Sequence, residues 1–250
     1  MSFEAIDERL VLYSELKGGE SINTYSSILE WNHAFNPLMA NNNLASGSAG
    51  RILLDNSVER FNVNLGVKGN FAQKFQYDLK TGFAKYANGL LEGGLLVGVD
   101  MFGSFCYPMV HYVDYNMAYT NAKFAWNPGR FDIDGVLDYK YTNLSHKHTG
   151  AFAPAKVSGN FSMKYNWNDR IHAGIWMSGQ SARKMYAGAS NEVILKVPGF
   201  VDLGILAEYQ FNRKMSFFLQ GANLLDMTIQ RNVGYVSPGI NFTAGICLNL

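Results

Sequence analysis

The last fifty residues decide the fold, and residues 201–250 read VDLGILAEYQFNRKMSFFLQGANLLDMTIQRNVGYVSPGINFTAGICLNL. Over 201–211 every odd position is apolar or aromatic, and the even positions include two acids and a glutamine. After a turn at 212–214 the alternation restarts, and it returns over 240–250. A period of two is typical of β-strands with one apolar and one polar face, so the chain ends in a series of such strands.

Two all-β folds use strands of this kind. In a soluble β-sandwich the apolar face points to a core, whereas in a membrane barrel it points to lipid, which tolerates no unpaired strand edge. Most of the predicted strands have roughly nine to thirteen residues, enough to cross a bilayer at a tilt of about 45°. Sandwich strands usually have about five or six. Strand length therefore favours a transmembrane antiparallel up-and-down β-barrel.

The connections between the predicted strands differ strongly in length. Turns of about three to five residues alternate with connections of roughly 12 to 40, which is typical of outer-membrane barrels with short turns on one side and long loops on the other. The long loops are predicted at 18–56, 88–111, 143–156, 181–199 and 226–238, and a small hairpin within 88–111 is the alternative for that segment. Counting back from the C-terminus gives about ten spanning strands, which form a whole barrel or part of one.

Composition agrees with this fold. Of 250 residues, 16% are charged and 14% aromatic, a balance expected for a barrel with aromatic girdles and also found in lectin-like sandwiches. The net charge of +1 argues against a nucleic-acid partner. No run of about 18 apolar residues predicts a transmembrane helix. The first residues, 1–8, lack the features of a secretory signal, so we expect the chain to be part of a longer protein.

The sequence suggests two regions. Residues 1–56 are predicted to hold an N-terminal strand at 9–17 and a long loop region, with a helical turn or two within 21–35. Residues 57–250 are predicted to form the barrel strands and to end in a C-terminal strand that carries an insertion signal.

The end of the chain resembles the last strands of TonB-dependent outer-membrane receptors, most of all the forms found in Bacteroidetes. The resemblance rests on the strand 201–211, on Asn-Leu-Leu-Asp at 223–226, and on Gly234-Tyr235 and the closing run 238–242. The resemblance is specific over 198–250. Back to about residue 57 it consists only of the regular succession of predicted hairpins.

The resemblance implies an outer-membrane location in a Gram-negative bacterium and a C-terminal signal read by the barrel-assembly machinery. The signal's positions correspond to Thr243, Gly245, Leu248 and Leu250, and Leu250 departs from the usual terminal aromatic residue. A complete receptor barrel has about 22 strands, so this chain would be its C-terminal part. The family's N-terminal plug and TonB box have no counterpart here, and contact with TonB would pass through that missing plug.

Four carboxylates are candidates for ligand binding. Asp132, Asp134 and Asp138 form a row on the polar side of a predicted strand, which faces the lumen in a barrel, and Glu208 lies on the polar side of another. An ordinary polar lining paired with Lys and Arg is the alternative to a cation or substrate site. Aromatic residues at the short-turn ends, among them Tyr165, Trp167, Tyr209 and Phe211, are interpreted as a girdle at the membrane surface.

Other chemistry finds little support. His146 and His148 flank Lys147 in a predicted loop without Cys or carboxylates nearby, so neither a metal nor a cofactor is predicted. No nucleophile elbow, phosphate loop or paired Cys-x-x-Cys is present, which argues against an enzyme. The resemblance to TonB-dependent receptors implies import of a nutrient ligand through the outer membrane, in contact with its lipid. The alternatives are a free-standing small porin or structural barrel displaying loops to a partner, and a soluble glycan-binding sandwich.

Overall fold

The computed structural model describes residues 2–6, 9–31, 54–72, 74–99, 103–144, 149–168, 170–187 and 192–248. These residues form one short helix, α1 (Tyr25–Trp31), and a set of strands. The strands are β1 (Ser2–Ile6), β2 (Leu10–Ser21), β3 (Ser57–Phe71), β4 (Phe75–Val99), β5 (Gly103–Trp126), β6 (Phe131–Leu144), β7 (Thr149–Phe152), β8 (Val157–Trp167), β9 (Ile171–Gln180), β10 (Arg183–Ala187), β11 (Glu192–Val197), β12 (Phe200–Asn212), β13 (Met215–Ala222) and β14 (Asn241–Leu248).

Eleven of the strands form one continuous path in the order β1-β2-β3-β4-β5-β6-β8-β9-β12-β13-β14. Each neighbouring pair is antiparallel, so the chain runs up and down along the sheet as predicted. All members of the path except β1 have eight residues or more, which agrees with about ten spanning strands. Within the described residues β1 and β14 pair on one side only.

The burial pattern of the sheet is the reverse of that in a soluble protein. In β3, Val63 and Leu65 are 45% and 63% exposed, while Asn64 between them is 2% exposed. We call the face that carries Val63 and Leu65 the outer face and the face that carries Asn64 the inner face. A broad apolar surface that is open to the surroundings requires lipid or another apolar partner, and the polar inner face is typical of a barrel lumen.

Aromatic residues collect where the strands meet the short turns. Trp167 in β8 is opposite Ile171, which is opposite Tyr209 in β12, and Phe211 follows at the end of the same strand. Phe131 and Tyr165 are also paired, with ring centroids 4.6 Å apart. The predicted clustering at the turn end is confirmed, and its position is that of an interfacial girdle.

Glycines and aromatic residues face each other across neighbouring strands. Examples are the pairs Tyr13–Gly66, Gly82–Tyr119, Phe124–Gly135, Trp176–Gly204, Phe218–Gly245 and Gly221–Phe242. A Cβ atom on Gly204 would lie 2.2 Å from the Trp176 ring, and one on Gly66 would lie 2.2 Å from the Tyr13 ring. The rings therefore occupy the space that a side chain would fill, and they shield the backbone there.

Of the prediction at 88–111, the long loop is wrong and the hairpin within it is present, as an extension of β4 and β5. β4 and β5 stay paired from Phe75 opposite Trp126 to Val99 opposite Gly103, with one irregularity between Tyr86 and Gly89. At the base of this extension both faces are covered: Leu91 and Val113 pack with Ala151 of β7, and Val110 packs with Ile28 of α1. A strand that is buried on both faces shows a continuous apolar run instead of a period of two.

Two other predicted loops also contain strands. The connection predicted at 143–156 holds β7, and the one at 181–199 holds the hairpin β10–β11. The connection predicted at 226–238 has only an isolated bridge between Asn232 and Tyr235. Such short elements lack the length from which a period can be read, so the sequence did not reveal them.

The helix predicted within 21–35 is present as α1. Thr24 caps it: the Ser27 N–H donates to Thr24 Oγ1 at 3.1 Å, and the Thr24 N–H donates to Ser27 Oγ at 2.9 Å. Ile28 is fully buried against Val110 of β5. In the part of the chain that the structure describes, no helix has the length and apolarity to cross a membrane. The predicted division at residue 56 stays a prediction; β3 begins at Ser57 and pairs with β2 in the same sheet.

Candidate functional site

Long connections pack together at the end of the sheet opposite the short turns. β7 pairs with β4 through Gly93 and Ala151 and with β10 through Met185 and Phe152. Their shared core contains side chains that are each 1% exposed: Phe152, Met185, Val197 and Val233. We define the loop assembly as β7, β10, β11, residues 223–240, residues 89–99 of β4 and residues 103–113 of β5.

A buried ion pair lies inside the loop assembly. Arg183 of β10 binds Glu92 of β4, and their side chains are 9% and 7% exposed. The second carboxylate oxygen of Glu92 accepts a hydrogen bond from the Val233 N–H at 2.9 Å, and Arg183 Nη2 donates to the Arg231 carbonyl at 3.0 Å. One carboxylate and one guanidinium thus tie β4, β10 and the 223–240 connection together.

A second ion pair joins this connection to the sheet. Arg231 Nη2 donates to Asp202 Oδ2 of β12 at 2.7 Å, and the guanidinium lies 5.0 Å from the centroid of the Phe200 ring. The same Nη2 is 3.2 Å from Ser178 Oγ of β9. Asp202 is 7% exposed, so Arg231 compensates for the burial of its charge.

Asn223 shapes the start of the last long connection. It has φ +49°, a left-handed conformation that asparagine tolerates better than most residues, and it is 2% exposed. Its side-chain amide donates to the carbonyls of Met227 and Pro238 at 2.9 and 3.1 Å and accepts from the Met227 N–H at 3.0 Å. Its own N–H donates to Asp202 Oδ1 at 3.0 Å. The Asn-Leu-Leu-Asp sequence is therefore a structural corner.

A cavity of about 410 Å³ lies between the loop assembly and the inner face. Leu91, Tyr115 and Phe152 form an apolar part of its lining, and Glu92, Lys140, Arg183 and Arg231 are its charged members. Two residues of its lining also have a buried donor atom, Gln180 Nε2 and Arg183 Nε, with no hydrogen-bond partner within the described residues. The volume is in the range of small-molecule sites.

His111 lies in the extension of β5, opposite Leu91. Burial lowers the pKa of its imidazole because charging it inside the assembly is unfavourable. A Cβ atom on Gly93 would lie 2.0 Å from the His111 ring, so the glycine permits this packing. The Nε2 atom is buried without a partner among the residues that are described.

The predicted acidic candidates lie elsewhere. Asp132, Asp134 and Asp138 share the inner face of β6, and they accept hydrogen bonds from Asn127, Ser162 and Asn121 at 2.6, 2.6 and 2.8 Å respectively. Glu208 on β12 is half-buried opposite His172 and Phe218. None of the four lines the 410 Å³ cavity. Their role as ligand-binding residues stays a prediction.

Asp138 has basic surroundings on the inner face. It lines a recess of about 260 Å³ together with Lys17, Lys80, Lys123 and Lys140. This recess is the nearest structural counterpart of the polar lining with interspersed lysines that the sequence suggests. It lies below the cavity, and Lys140 lines both.

Several sequence candidates fall outside the described residues, namely His146, Lys147, His148 and Leu250. Among the residues that are described, no group of three or more His, Cys, Asp or Glu side chains is arranged to hold a metal ion. The predicted insertion-signal positions Thr243, Gly245 and Leu248 lie in β14, the end strand of the path.

Comparisons with solved structures identify the architecture. The chain is similar to the copper transporter OprC, with a TM-score of 0.63 and 15% identity over 99% of this chain and 38% of that one. The fold is that of an outer-membrane receptor barrel. The siderophore receptor PirA from Acinetobacter baumannii gives a TM-score of 0.65 at 13% identity, covering 99% of this chain and 40% of the receptor. The pyoverdine-bound outer-membrane receptor FpvA from Pseudomonas aeruginosa gives 0.63 at 12%, covering 98% and 34%.

The chain thus spans two fifths or less of the length of these receptor structures. No protein-family model matches the sequence, and no curated protein matches it. The part of these structures that the chain matches is the barrel.

Proposed function

We propose that the chain is the C-terminal part of the barrel of a TonB-dependent receptor that imports a nutrient ligand across the outer membrane. The observation that carries the proposal is the combination of an apolar exposed outer face with a built loop assembly at one end of the strands. Ligand capture by the loop assembly, passage along the polar inner face and energy coupling through TonB and a plug are parts of the same proposal. The proposal also includes contact of the barrel with lipid and its insertion by the barrel-assembly machinery, which would read Thr243, Gly245, Leu248 and Leu250.

The proposed protein is not an enzyme, and the similar structures are named as a transporter and receptors. The alternative of a free-standing porin or structural barrel is less well supported. Within the described residues β1 and β14 each leave one edge unpaired, and lipid does not tolerate such edges. A closed wall would take additional strands, which a larger receptor barrel supplies. An origin in Bacteroidetes stays a prediction.

Site-directed labelling tests the orientation. Val236 in the loop assembly is 62% exposed, and Lys214 lies in the exposed short turn between β12 and β13. In a background with Cys106→Ser and Cys247→Ser, we expect Val236→Cys to react with a membrane-impermeant maleimide on intact cells. Lys214→Cys should react only after the outer membrane is permeabilised. Equal labelling of both variants on intact cells would contradict the proposed topology.

Planar-bilayer conductance separates the import receptor from a passive pore. The protein at its natural length should give little steady conductance, because a plug closes the lumen in the proposed receptor. A large and stable conductance of the untreated protein would instead support the porin alternative.

A further inference from the structure

Four short turns carry a cation at the same position. In each, a lysine or arginine directly precedes the first residue of the strand that leaves the turn. These cations are Lys74 before β4, Arg130 before β6, Arg170 before β9 and Lys214 before β13. The turns join β3–β4, β5–β6, β8–β9 and β12–β13, which follow one another along the sheet. Together with Arg213, which precedes Lys214, we call these cations the basic rim.

The basic rim lies directly beyond the aromatic girdle. Phe131 and Ile171, the outer-face residues that follow Arg130 and Arg170, are opposite Tyr165 and Trp167 of the girdle. In the same way Lys74 is followed by an outer-face phenylalanine that is opposite a tryptophan of β5. Girdle residues lie at the level of the lipid headgroups, and one residue advances a strand by about 3.3 Å. The rim is therefore within reach of headgroup phosphates.

The side chains of the rim are accessible and unpaired. All five residues are exposed, and none of them forms an ion pair within the described residues. The main-chain carbonyls of Lys74, Arg130 and Arg170 accept hydrogen bonds of 2.7, 2.8 and 2.7 Å from N–H groups of the neighbouring chain segments. The backbone of the rim is thus fixed at the end of the sheet, while its long side chains extend into the surroundings.

Little negative charge offsets the rim. Asp169 is the one acid in the sequence of the four turns, so five cations and one acid leave a net charge of +4 there. Asp132, the first acid of β6, lies on the inner face and accepts a hydrogen bond from Asn127. Neighbouring turns are two strands apart, roughly 10 Å, which is close to the Debye length of about 8 Å in physiological salt. The charges therefore act together as a positive band.

We propose that the basic rim binds the headgroups of anionic phospholipids, such as phosphatidylglycerol, in the membrane leaflet on the side of the short turns. Lipid is the partner that the position favours, because the rim continues the apolar outer face and its girdle without a break. Basic side chains next to a membrane surface attract anionic lipids in this way. The inference goes beyond nutrient import and requires only that the strands span a membrane.

A matched pair of lipid probes tests the headgroup preference. The natural-length protein in phosphatidylcholine vesicles is mixed with spin-labelled phosphatidylglycerol or with spin-labelled phosphatidylcholine that has the same acyl chains. The fraction of each probe that the protein immobilises gives their relative association. One cation near the surface favours an anionic lipid by roughly fivefold at its own position. Averaged over the perimeter, we expect phosphatidylglycerol to be favoured at least about twofold, and about 1 M salt to abolish this preference.

Two sets of variants assign the preference to the rim. The rim variant, Lys74→Gln/Arg130→Gln/Arg170→Gln/Lys214→Gln, should lose most of the preference for phosphatidylglycerol. The control variant removes four exposed lysines that lie away from the short turns, Lys85→Gln/Lys156→Gln/Lys184→Gln/Lys196→Gln, and should keep it. Heat-dependent gel mobility verifies that each variant is folded. If the rim variant does not fold, Lys74→Gln/Arg130→Gln and Lys85→Gln/Lys156→Gln give the same comparison.

Equal association of the two probes with the unaltered protein would overturn the inference, and it is the result expected if the rim serves an acidic protein instead. A preference that persists in the rim variant, or that falls equally in both variants, would also overturn it. Lipid association does not involve transport, so the result is separate from the proposed function. A protein with the expected headgroup preference and a porin-like conductance would refute the import receptor and leave the lipid site in place.

Discussion

The carboxylate of Glu92 and the guanidinium of Arg183 form an ion pair with less than a tenth of either side chain exposed. They are 91 residues apart in the chain and belong to β4 and β10. The Lys17–Glu15 pair, by contrast, has side chains that are 55% and 40% exposed. A buried charge that loses its partner is far more costly than an exposed one, so these two pairs should respond differently to mutation.

Glu92→Gln should loosen the loop assembly. The change leaves the Arg183 charge buried without a counter-charge, and we expect a loss of about 3 kcal/mol of local stability. Limited proteolysis in the 223–240 connection, on intact cells, measures the opening. Glu15→Gln is the matched control and should leave the cleavage rate unchanged. Equal rates for the two variants would show that the ion pair does not hold the assembly together.

Gly204→Ala should destabilise the sheet by overpacking. The new methyl group would lie 2.2 Å from the Trp176 ring, and displacing a packed ring costs about 1–3 kcal/mol. Gly19→Ala is the control, because nothing lies within 4 Å of a Cβ atom at Gly19. Heat-dependent gel mobility measures the stability of the sheet, and tryptophan fluorescence reports the displacement of the Trp176 ring. In Gly204→Ala/Trp176→Ala the two costs should not add, since one contact is involved.

Substitutions at Asn223 separate backbone strain from hydrogen bonding. Asn223→Gly keeps the left-handed conformation but loses the side-chain bonds to Met227 and Pro238, and Asn223→Ala loses both. We expect both variants to expose the 223–240 connection to protease, with alanine the more severe by about 1 kcal/mol. Asp226→Asn, at an exposed residue with φ +50°, should have little effect. If glycine restored full protection, the hydrogen bonds would be unimportant.

His111 should make the loop assembly sensitive to acid. Its pKa is lowered in the folded state, so the unfolded state binds more protons as the pH falls below about 6.5. The neutral imidazole therefore supports folding above that pH, and the support is lost progressively on acidification through and below it. Proteolysis of the loop assembly between pH 7.5 and pH 5 measures this. The slope should flatten in His111→Gln, and an unchanged slope would assign the pH dependence to other groups.

The sequence was informative wherever one face of a strand meets lipid. There the alternation is complete, as in 201–211, and strand, turn and girdle could all be predicted from it. The extension of β4 and β5 escaped prediction; at its base, β7 packs on Leu91 and α1 packs on Val110, and a period of two is not expected where both faces are covered. Its best signal was Glu92, the one charged residue between Ala87 and Val99, since a lone charge in an apolar run is a candidate for buried pairing.

The candidate site was beyond sequence reasoning for a different reason. Arg183, Arg231 and Lys140 come from separate connections and strands, and no local spacing announces that they line one cavity. The acidic row on β6 attracted attention because its members are regularly spaced. Asn223 was noticed as part of a recurring motif, but its hydrogen bonds to residues up to 15 positions away depend on the folded connection.

The pairing of aromatic rings with glycines has a consequence for how such a sheet is assembled. If a strand docked one residue out of place, Trp176 would meet a neighbour of Gly204 instead, either Leu203 or Ile205, and the polar and apolar faces of the incoming strand would be exchanged. Each ring therefore fits its neighbouring strand in the observed alignment and clashes when that strand is shifted by one residue. Pairs of an aromatic ring and a glycine lie between β2 and β3, between β4 and β5, between β5 and β6, between β9 and β12, and between β13 and β14. We expect a strand that is shifted by one residue to be disfavoured by a steric clash at each of these pairs.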